Sequence, residues 1–207
     1  MPREVARLHV ITDTRGRRDP LPEVAAVLAA GGRCIQVRGE GLSDRQLWDL
    51  SRRVIDLADP FAAHVVIDNR VDVAVISAAN GVHVGSSDLP VEVIRRAFGR
   101  ALIIGATART PQQAVAAAAA GATYLGVGPV FGTDTKAGLP DPLGLAGVAA
   151  VVASTGLPVI AIGGISLASI VDVLGCGAHG VAVVSAISGA ADPHAATVAL
   201  LRELGGA

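Results

Sequence analysis

The sequence has few aromatic residues, two cysteines, a single lysine and almost no net charge. Aromatic residues make up 2% of the 207 residues and the formal net charge is −1, which leaves few stacking platforms and no overall positive field. Both features argue against a nucleic-acid partner. Any anionic ligand must therefore be bound by local groups.

Cysteine usage and the length of the apolar runs narrow the setting further. Cys34 and Cys176 lie far apart, with no metal-binding spacing and no Cys-x-x-Cys pair, which predicts free thiols and no disulfide. Glycine, proline and charged residues interrupt each apolar run before it reaches the roughly 18 residues of a membrane span. Arg3, Glu4 and Arg7 precede only a short apolar run, unlike a signal peptide. We therefore expect a soluble cytoplasmic protein with no membrane partner.

What the chain has in abundance is apolar surface to bury. It is 51% hydrophobic and 17% charged, with a mean hydropathy of +0.54. A chain of this length and composition can bury one substantial core. We expect one domain over residues 1–207.

Short apolar runs alternate with helix-like segments along the whole chain, eight of each. The runs lack polar alternation, which is typical of parallel strands covered on both faces. Eight βα units predict a (β/α)₈ TIM barrel of the α/β class, since the doubly wound alternative usually stops at about five or six strands. The predicted strands are 8–12, 34–38, 64–67, 81–84, 102–106, 123–127, 159–161 and 181–184. The predicted helices with two defined limits are 71–78, 110–120, 145–154 and 192–204.

The last two predicted strands end in groups that can hold a phosphate. The seventh stops at Gly163-Gly164, and the eighth ends in Val184 and Ser185. In (β/α)₈ barrels the loops after strands seven and eight often bind phosphate through backbone N–H groups, and glycine lets the anion approach closely. A plain turn before a helix capped by Ser166 is the alternative interpretation.

In a barrel, chemistry belongs to the C-terminal ends of the strands, and polar side chains gather there in this sequence. Such a rim suits a polyanionic ligand together with a hard cation. In strand order, these residues are Thr12, Asp13, Gln36, Arg38, Asp68, Asn69, Arg70, His83, Ser86, Ser87, Asp88, Thr107, Arg109, Thr133, Asp134, Thr135 and Lys136.

The longest predicted loop, 128–143, contains Lys136, the one lysine of the chain. All sixteen other cationic side chains are arginine, so this sequence generally uses arginine for surface charge. An ammonium group and the hydroxyls of Thr133 and Thr135 all donate to phosphate oxygens, so their grouping favours phosphate contact. A Schiff-base role would require a desolvated lysine of lowered pKa.

Asp68 and Asp88 follow neighbouring predicted strands and are candidate ligands of Mg²⁺, which usually takes one or two carboxylates beside phosphate and water. The alternatives are that Asp88 caps the helix near Pro90 and that Arg70 holds Asp68. His83 lies in an apolar strand, which favours a hydrogen-bonded core histidine over a catalytic base. No Ser-His-Asp order, H-E-x-x-H or P-loop motif is present, which argues against hydrolase and P-loop chemistry.

The rim residues form an ordered set of motifs, about one for each barrel unit. The motifs are Thr12-Asp13, Gln36-Val-Arg38, Ile67-Asp-Asn-Arg70, Gly81-Val-His-Val-Gly85 with Asp88, Gly128-Pro-Val-Phe131 with Thr133 and Thr135-Lys136, Ala161-Ile-Gly-Gly-Ile165 and Val184-Ser-Ala-Ile187. This order resembles the thiamine phosphate synthase/TenI family over nearly the whole chain, and it implies the family's TIM barrel. Synthase members join hydroxymethylpyrimidine pyrophosphate to thiazole phosphate with Mg²⁺, whereas TenI members are thiazole tautomerases.

The resemblance implies a role for the matching residues. Gln36, Arg38 and Lys136 would contact the pyrophosphate, where Thr107 would replace a serine, and Asp88 would bind Mg²⁺. The family's synthase reaction is dissociative and needs charge stabilisation rather than a base. With the inferences from the rim, the predicted catalytic residues are Arg38, Thr107, Arg109 and Lys136. The predicted substrate-binding residues are Gln36, Asn69, Thr133, Thr135, Gly163, Gly164, Val184 and Ser185, and the predicted metal ligands are Asp68 and Asp88.

Several residues depart from the synthase pattern. Glu40 stands where synthases have lysine, which puts an anion beside the expected pyrophosphate, and Asp68-Asn69 stands where they have Asn-Asp. The Gly-Gln-x-Asp motif is Gly-Ser-Ser-Asp at 85–88. The tautomerase histidine after strand five is Arg109 here, although the stretch 136–145 is more similar to TenI members.

Three functions therefore stay open. A thiamine phosphate synthase is preferred, because most of the rim residues match the synthase pattern and Arg109 could supply the positive charge lost at Glu40. A TenI-type tautomerase and a non-catalytic regulator that binds thiazole phosphate or thiamine phosphate are the alternatives. The direction in which Glu40 points and the oligomeric state, a homodimer included, are also left open.

Overall fold

The computed structural model describes residues 5–136 and 138–205, apart from the side chain of Arg17. Arg3 and Glu4, on which the signal-peptide prediction partly rests, and Ala137, within the stretch compared with TenI members, lie outside the described residues.

Eight parallel strands close into a barrel in sequence order, with the last strand paired to the first. The predicted (β/α)₈ TIM barrel is confirmed, and each observed strand overlaps its predicted range. The strands are β1 (Leu8–Ile11), β2 (Cys34–Val37), β3 (His64–Asp68), β4 (Gly81–Val84), β5 (Ile103–Thr107), β6 (Tyr124–Val127), β7 (Val159–Ile162) and β8 (Gly180–Val183).

Helices lie between the strands along the chain, as the alternating pattern predicts. Three of them begin at a residue whose side chain accepts a hydrogen bond from the backbone N–H three residues later, namely Ser43, Thr110 and Asp192. The helices are α1 (Leu21–Ala29), α2 (Asp44–Ala58), α3 (Val71–Ile76), α4 (Val91–Phe98), α5 (Pro111–Ala119), α6 (Gly144–Ala153), α7 (Ile170–Gly175), α8 (Ser185–Ser188) and α9 (Pro193–Glu203). The four-residue α8 is not among the predicted helices, because one turn has no periodicity to detect.

Side chains alternate between the two faces of each strand and so divide into two apolar clusters. The larger cluster joins strand residues such as Ile35 and Val82 to helix residues such as Val54 and Val148. A smaller cluster joins strand residues Ile11, Ile103, Tyr124, Ile160 and Ala182.

The predictions about cysteine and membrane spans can also be compared with the structure. Cys34 is a buried free thiol and Cys176 is a half-buried one. Burial raises the pKa of the Cys34 thiol to about 12, so it stays protonated and unreactive at neutral pH. Within the described ranges, no helix is both long and apolar enough to cross a bilayer.

Candidate active site

A cavity of about 480 Å³ opens at the C-terminal ends of the strands, and all eight strands or the loops after them contribute to its walls. This is the end at which (β/α)₈ barrels carry their active sites. All fourteen predicted site residues line this one cavity: Gln36, Arg38, Asp68, Asn69, Asp88, Thr107, Arg109, Thr133, Thr135, Lys136, Gly163, Gly164, Val184 and Ser185.

The cavity floor is a hydrogen-bonded group of three side chains. His83 Nδ1 lies 3.1 Å from the Tyr124 hydroxyl, and His83 Nε2 lies 3.0 Å from Thr107 Oγ1. Gly105 is the ladder neighbour of both His83 and Tyr124. A Cβ atom at Gly105 would lie 2.5 Å from His83 Nδ1 and closer still to the Tyr124 hydroxyl. The missing side chain at Gly105 therefore lets the imidazole and the phenol meet.

The floor is electrically neutral at physiological pH. Burial lowers the pKa of His83 and raises that of Tyr124 well above its usual value. His9 packs against the edge of the Tyr124 ring, with 4.9 Å between ring centroids, and burial lowers the pKa of His9 to about 3. The sequence interpretation of His83 as a hydrogen-bonded core histidine is correct about its bonds, but the sequence analysis missed that His9 and Tyr124 line the cavity beside it. The available signal was their polarity, because His9 and Tyr124 are the polar side chains of the otherwise apolar strands β1 and β6.

Two carboxylates line the cavity, Asp68 at the end of β3 and Asp88 in the loop after β4. Asp68 Oδ1 accepts a hydrogen bond from Gln36 Nε2 at 2.9 Å, and Asp88 Oδ2 accepts one from the Gly85 N–H at 2.7 Å. Among the described residues, the other oxygen of each carboxylate accepts no hydrogen bond. Each aspartate is thus held at one oxygen while the second is available to a ligand.

Both alternative roles for these aspartates are contradicted. Arg70 pairs with Asp72 and Asp44, each at 2.6 Å, and not with Asp68. Helix α4 begins after Pro90 without a side-chain cap, so Asp88 does not cap it. The described residues contain no group of three or more His, Cys, Asp or Glu side chains able to hold a metal ion. Any cation here would be held by the two aspartates together with a ligand.

Glu40 points toward Arg38. The Arg38 guanidinium forms an ion pair with Glu40 and also donates a long hydrogen bond, at 3.4 Å, to the Thr135 carbonyl. The Arg38 side chain is 15% exposed and that of Glu40 is 54% exposed. Glu40 therefore lies at the mouth of the cavity, where its carboxylate pairs with the inward-facing guanidinium of Arg38.

The loop 128–143 closes the opposite wall. Thr133 Oγ1 donates to Thr135 Oγ1 at 3.0 Å and accepts from the Thr135 N–H at 3.3 Å, so the two hydroxyls lie together. Arg15 donates to the Asp134 carbonyl at 3.4 Å. Arg109, at the end of β5, donates to two carbonyls of the same loop.

Gly164 lies where the loop passes close to the end of β7. Its φ is +66°, and a Cβ atom there would lie 2.6 Å from the Gly132 carbonyl oxygen. Both facts require glycine. In the described part of the chain, neither the Gly164 N–H nor the Ser185 N–H donates a hydrogen bond. The predicted phosphate-binding backbone is therefore present in the cavity wall with donors available.

Three residues of the predicted rim support the site from outside the cavity. Thr12 Oγ1 donates to the Arg38 carbonyl at 3.0 Å and accepts from the Arg38 N–H at 2.9 Å. Asp13 accepts hydrogen bonds from Arg15 and Ser188, and the bond from Arg15 lowers the pKa of Asp13 to about 2. Arg70 lies on the surface with its two aspartates. Unlike the other rim residues except Asp134, these three do not line the cavity, and protein neighbours engage their side chains.

The chain is similar to known proteins over nearly its whole length. A family model described as thiamine monophosphate synthase matches residues 8–187. The thiamine-phosphate synthase of Salinispora arenicola is 48% identical over 203 residues, covering 97% of this chain and 98% of that protein. That of Salinispora tropica is 47% identical over the same shares. The solved structure of thiamine phosphate pyrophosphorylase from Pyrococcus furiosus has a TM-score of 0.87 and 36% identity, covering 96% of this chain and 95% of that one.

Proposed function

The chain belongs to the thiamine monophosphate synthase family, and from that premise we propose that it is a thiamine-phosphate synthase. The reaction joins hydroxymethylpyrimidine pyrophosphate to thiazole phosphate, giving thiamine phosphate and pyrophosphate. The observation that carries the proposal is that all fourteen residues picked out from the sequence line one cavity. Relatives over nearly the full length that are named as synthases support it.

The alternative hypothesis of a tautomerase is less well supported. Its histidine is replaced by Arg109, and arginine side chains do not serve as proton-exchanging groups as histidine does. His83, the imidazole in the floor, has a pKa lowered by burial and is engaged at both nitrogens. The cavity therefore offers charge stabilisation rather than acid–base groups, which fits a dissociative transfer.

The pyrophosphate end of the site is proposed to lie between Arg38 and Lys136. Both line the cavity, and their cationic groups would stabilise the charge that builds up on the departing pyrophosphate. Gln36 is held against Asp68 by its amide N–H, and Thr107 is held by His83. These bonds fix the side chains before substrate arrives, so little reorganisation is needed during the reaction.

The residues present fit a Mg²⁺ ion. Mg²⁺ is usually bound by one or two carboxylates together with substrate phosphates and water, and Asp68 and Asp88 each offer one oxygen. When bound, the ion would neutralise negative charge on the pyrophosphate and make it a better leaving group. The bond from Gln36 to Asp68 and the bond from the Gly85 N–H to Asp88 orient the two carboxylates for this task.

The thiazole phosphate is proposed to bind across the cavity, at the ends of β7 and β8 and the facing loop. The Gly164 and Ser185 N–H groups and the Thr133 and Thr135 hydroxyls are uncharged donors suited to phosphate oxygens. Holding the phosphate there would leave the thiazole ring over the cavity floor. The ring nitrogen would then face the pyrimidine carbon from which pyrophosphate departs.

The test is to incubate the purified protein with both substrates and Mg²⁺ and to measure thiamine phosphate. We expect the product to form, and we expect Asp88→Asn to lower turnover at least about tenfold because one charged ligand is lost. Asp49→Asn, on the exposed face of α2, is the matched control and should leave turnover unchanged. If the wild-type protein makes no thiamine phosphate, the synthase function is refuted; unchanged turnover in Asp88→Asn would refute the metal-ligand role alone.

A further inference from the structure

Arg109 joins the two ends of the loop 128–143. Its Nη1 donates to the Gly128 carbonyl at 3.0 Å, and its Nη2 donates to the Asp141 carbonyl at 2.8 Å. The Arg109 backbone N–H donates to Gln113 Oε1 at 2.7 Å, which anchors the residue to the first turn of α5. One guanidinium therefore bridges the first residue of the loop and a residue near its end.

The bridge is well suited to an arginine. A guanidinium presents parallel N–H groups in a fixed plane, so it can serve two acceptors at once, whereas an ammonium is a single point of charge. Both acceptors are backbone carbonyls, which do not titrate, and the guanidinium stays charged at every physiological pH. The bridge is therefore maintained whatever the protonation of the surrounding side chains.

The bridge acts at the base of the loop. Two backbone bonds join the two sides of the same base, from the Leu143 N–H to the Pro129 carbonyl at 2.8 Å and from the Gly144 N–H to the Val130 carbonyl at 3.0 Å. Two more tie it to the end of β7, from the Val130 N–H to the Ile162 carbonyl at 2.9 Å and from the Phe131 N–H to the Gly163 carbonyl at 3.0 Å. Within the described part of the loop, the tip is held less tightly, because Arg15 and Arg38 reach it through hydrogen bonds of 3.4 Å. The position of the loop tip thus depends on the hydrogen bonds that hold the base of the loop.

The tip carries Thr133, Thr135 and Lys136, which line the cavity. We propose that Arg109 is a positioning residue that holds the loop 128–143 so that Thr133 and Thr135 meet the phosphate of the thiazole substrate. The identity of that substrate rests on the proposed synthase function, but the bridge itself does not. This role differs from the expectation that Arg109 supplies a charge to the pyrophosphate, because its N–H groups are directed at the loop backbone.

The lysine content of the chain gives a direct test of the bridge. Lys136 is the only lysine, so a lysine-specific endoprotease can cut the native chain at one peptide bond, in this loop, to give fragments of 136 and 71 residues. Cleavage of a folded protein follows the population of the opened segment. We expect Arg109→Ala to be cut about tenfold faster than wild type, with Arg109→Lys in between. A tenfold change means that the free energy of opening the loop falls by about 1.4 kcal/mol. Arg53→Ala, on the exposed face of α2, is the control and should match wild type.

Kinetics with both substrates and Mg²⁺ test the positioning role. We expect Arg109→Ala to raise the KM for thiazole phosphate about tenfold and to change kcat less than about threefold. The KM for the pyrimidine pyrophosphate should rise less, because Arg38, which lies outside the loop, also binds that substrate. Arg109→Lys should restore part of the lost affinity. An effect that only lowered the amount of folded protein would change kcat and neither KM.

The cleavage rates and the two KM values together decide whether Arg109 positions the loop. Equal cleavage rates for Arg109→Ala and wild type would show that the bridge does not hold the loop. Faster cleavage with an unchanged KM for thiazole phosphate, or a raised KM for the pyrimidine pyrophosphate alone, would overturn the positioning role. If Arg109→Ala does not fold, Arg109→Lys carries the same comparison. If wild type makes no thiamine phosphate, the synthase function fails, while cleavage rates and calorimetry with thiazole phosphate still test Arg109.

Discussion

Removing the charge of Glu40 should strengthen pyrophosphate binding. In the free protein the Glu40 carboxylate pairs with the Arg38 guanidinium. An incoming pyrophosphate must therefore displace the Glu40 carboxylate or share the guanidinium with that carboxylate. In Glu40→Gln the side chain keeps its length but loses its charge. The Arg38 guanidinium is then free to bind the pyrophosphate, and no carboxylate at position 40 repels the ligand.

The size of the effect follows from the exposure of Glu40. Its side chain is 54% exposed, so water screens much of its field. At a separation of about 5 Å and an effective dielectric of about 40–80, Coulomb's law gives about 1–2 kcal/mol for each pair of unit charges. That range corresponds to roughly a five- to thirtyfold gain in affinity. Loss of the ion pair should lower the free energy of unfolding by no more than about 1 kcal/mol.

The assay is calorimetry of pyrophosphate binding in the presence of Mg²⁺, repeated at low and high salt. Glu92→Gln, an exposed glutamate on α4, makes the same change of net charge away from the cavity and serves as the control. We expect the gain from Glu40→Gln to shrink as salt rises, since the interaction is partly exposed. Weaker binding in Glu40→Gln would refute the reasoning and show that Glu40 orients Arg38 for the ligand instead of competing with it.

Two further predictions test the phosphate wall and the β1–α1 segment. Gly164→Ala should lower the affinity for thiazole phosphate measured by calorimetry but not that for the dephosphorylated thiazole, and it should cost about 1–3 kcal/mol of stability because φ is +66° there. Gly156→Ala, where a Cβ atom meets nothing within 4 Å, is its control, and equal loss of both ligands would contradict the assignment. Because hydrogen bonding from Arg15 lowers the pKa of Asp13 from 3.8 to about 2, Asp13 adds stability that is full above pH 3.8 and is lost as the pH falls through about 2. In Arg15→Ala, denaturant unfolding should show about 2 kcal/mol less stability at pH 6 and a smaller loss between pH 4 and pH 2; an acid profile identical to wild type would rule this out.

The barrel was predictable because its strands are short, apolar and separated by helix starts with clear chemistry. Ser43, Thr110 and Asp192 each begin a helix as the sequence indicates. The rim was also predictable, since parallel strands in a barrel bring their C-terminal ends to one side. Neither inference requires knowledge of side-chain contacts.

What the sequence could not give is the choice of partner for each polar side chain. Thr12 and Asp13 follow β1 as the rim residues do, but they bond to Arg38 and Arg15 and lie outside the cavity. Glu40 could equally have faced the ligand or Arg38, and only the folded geometry selects the ion pair. Such choices depend on contacts between residues distant in sequence, and no local pattern records them.

The missing side chain at Gly105 also bears on how genetic data for this protein would be interpreted. Any Cβ atom there would overlap the Tyr124 hydroxyl and the His83 ring, so no substitution can be accommodated without separating the two. In a saturation mutagenesis screen for growth without thiamine, position 105 would therefore be as intolerant as the groups that contact substrate. Gly105 has no side chain, but its neighbours are functional groups. The screen would therefore class it with the residues of the active site.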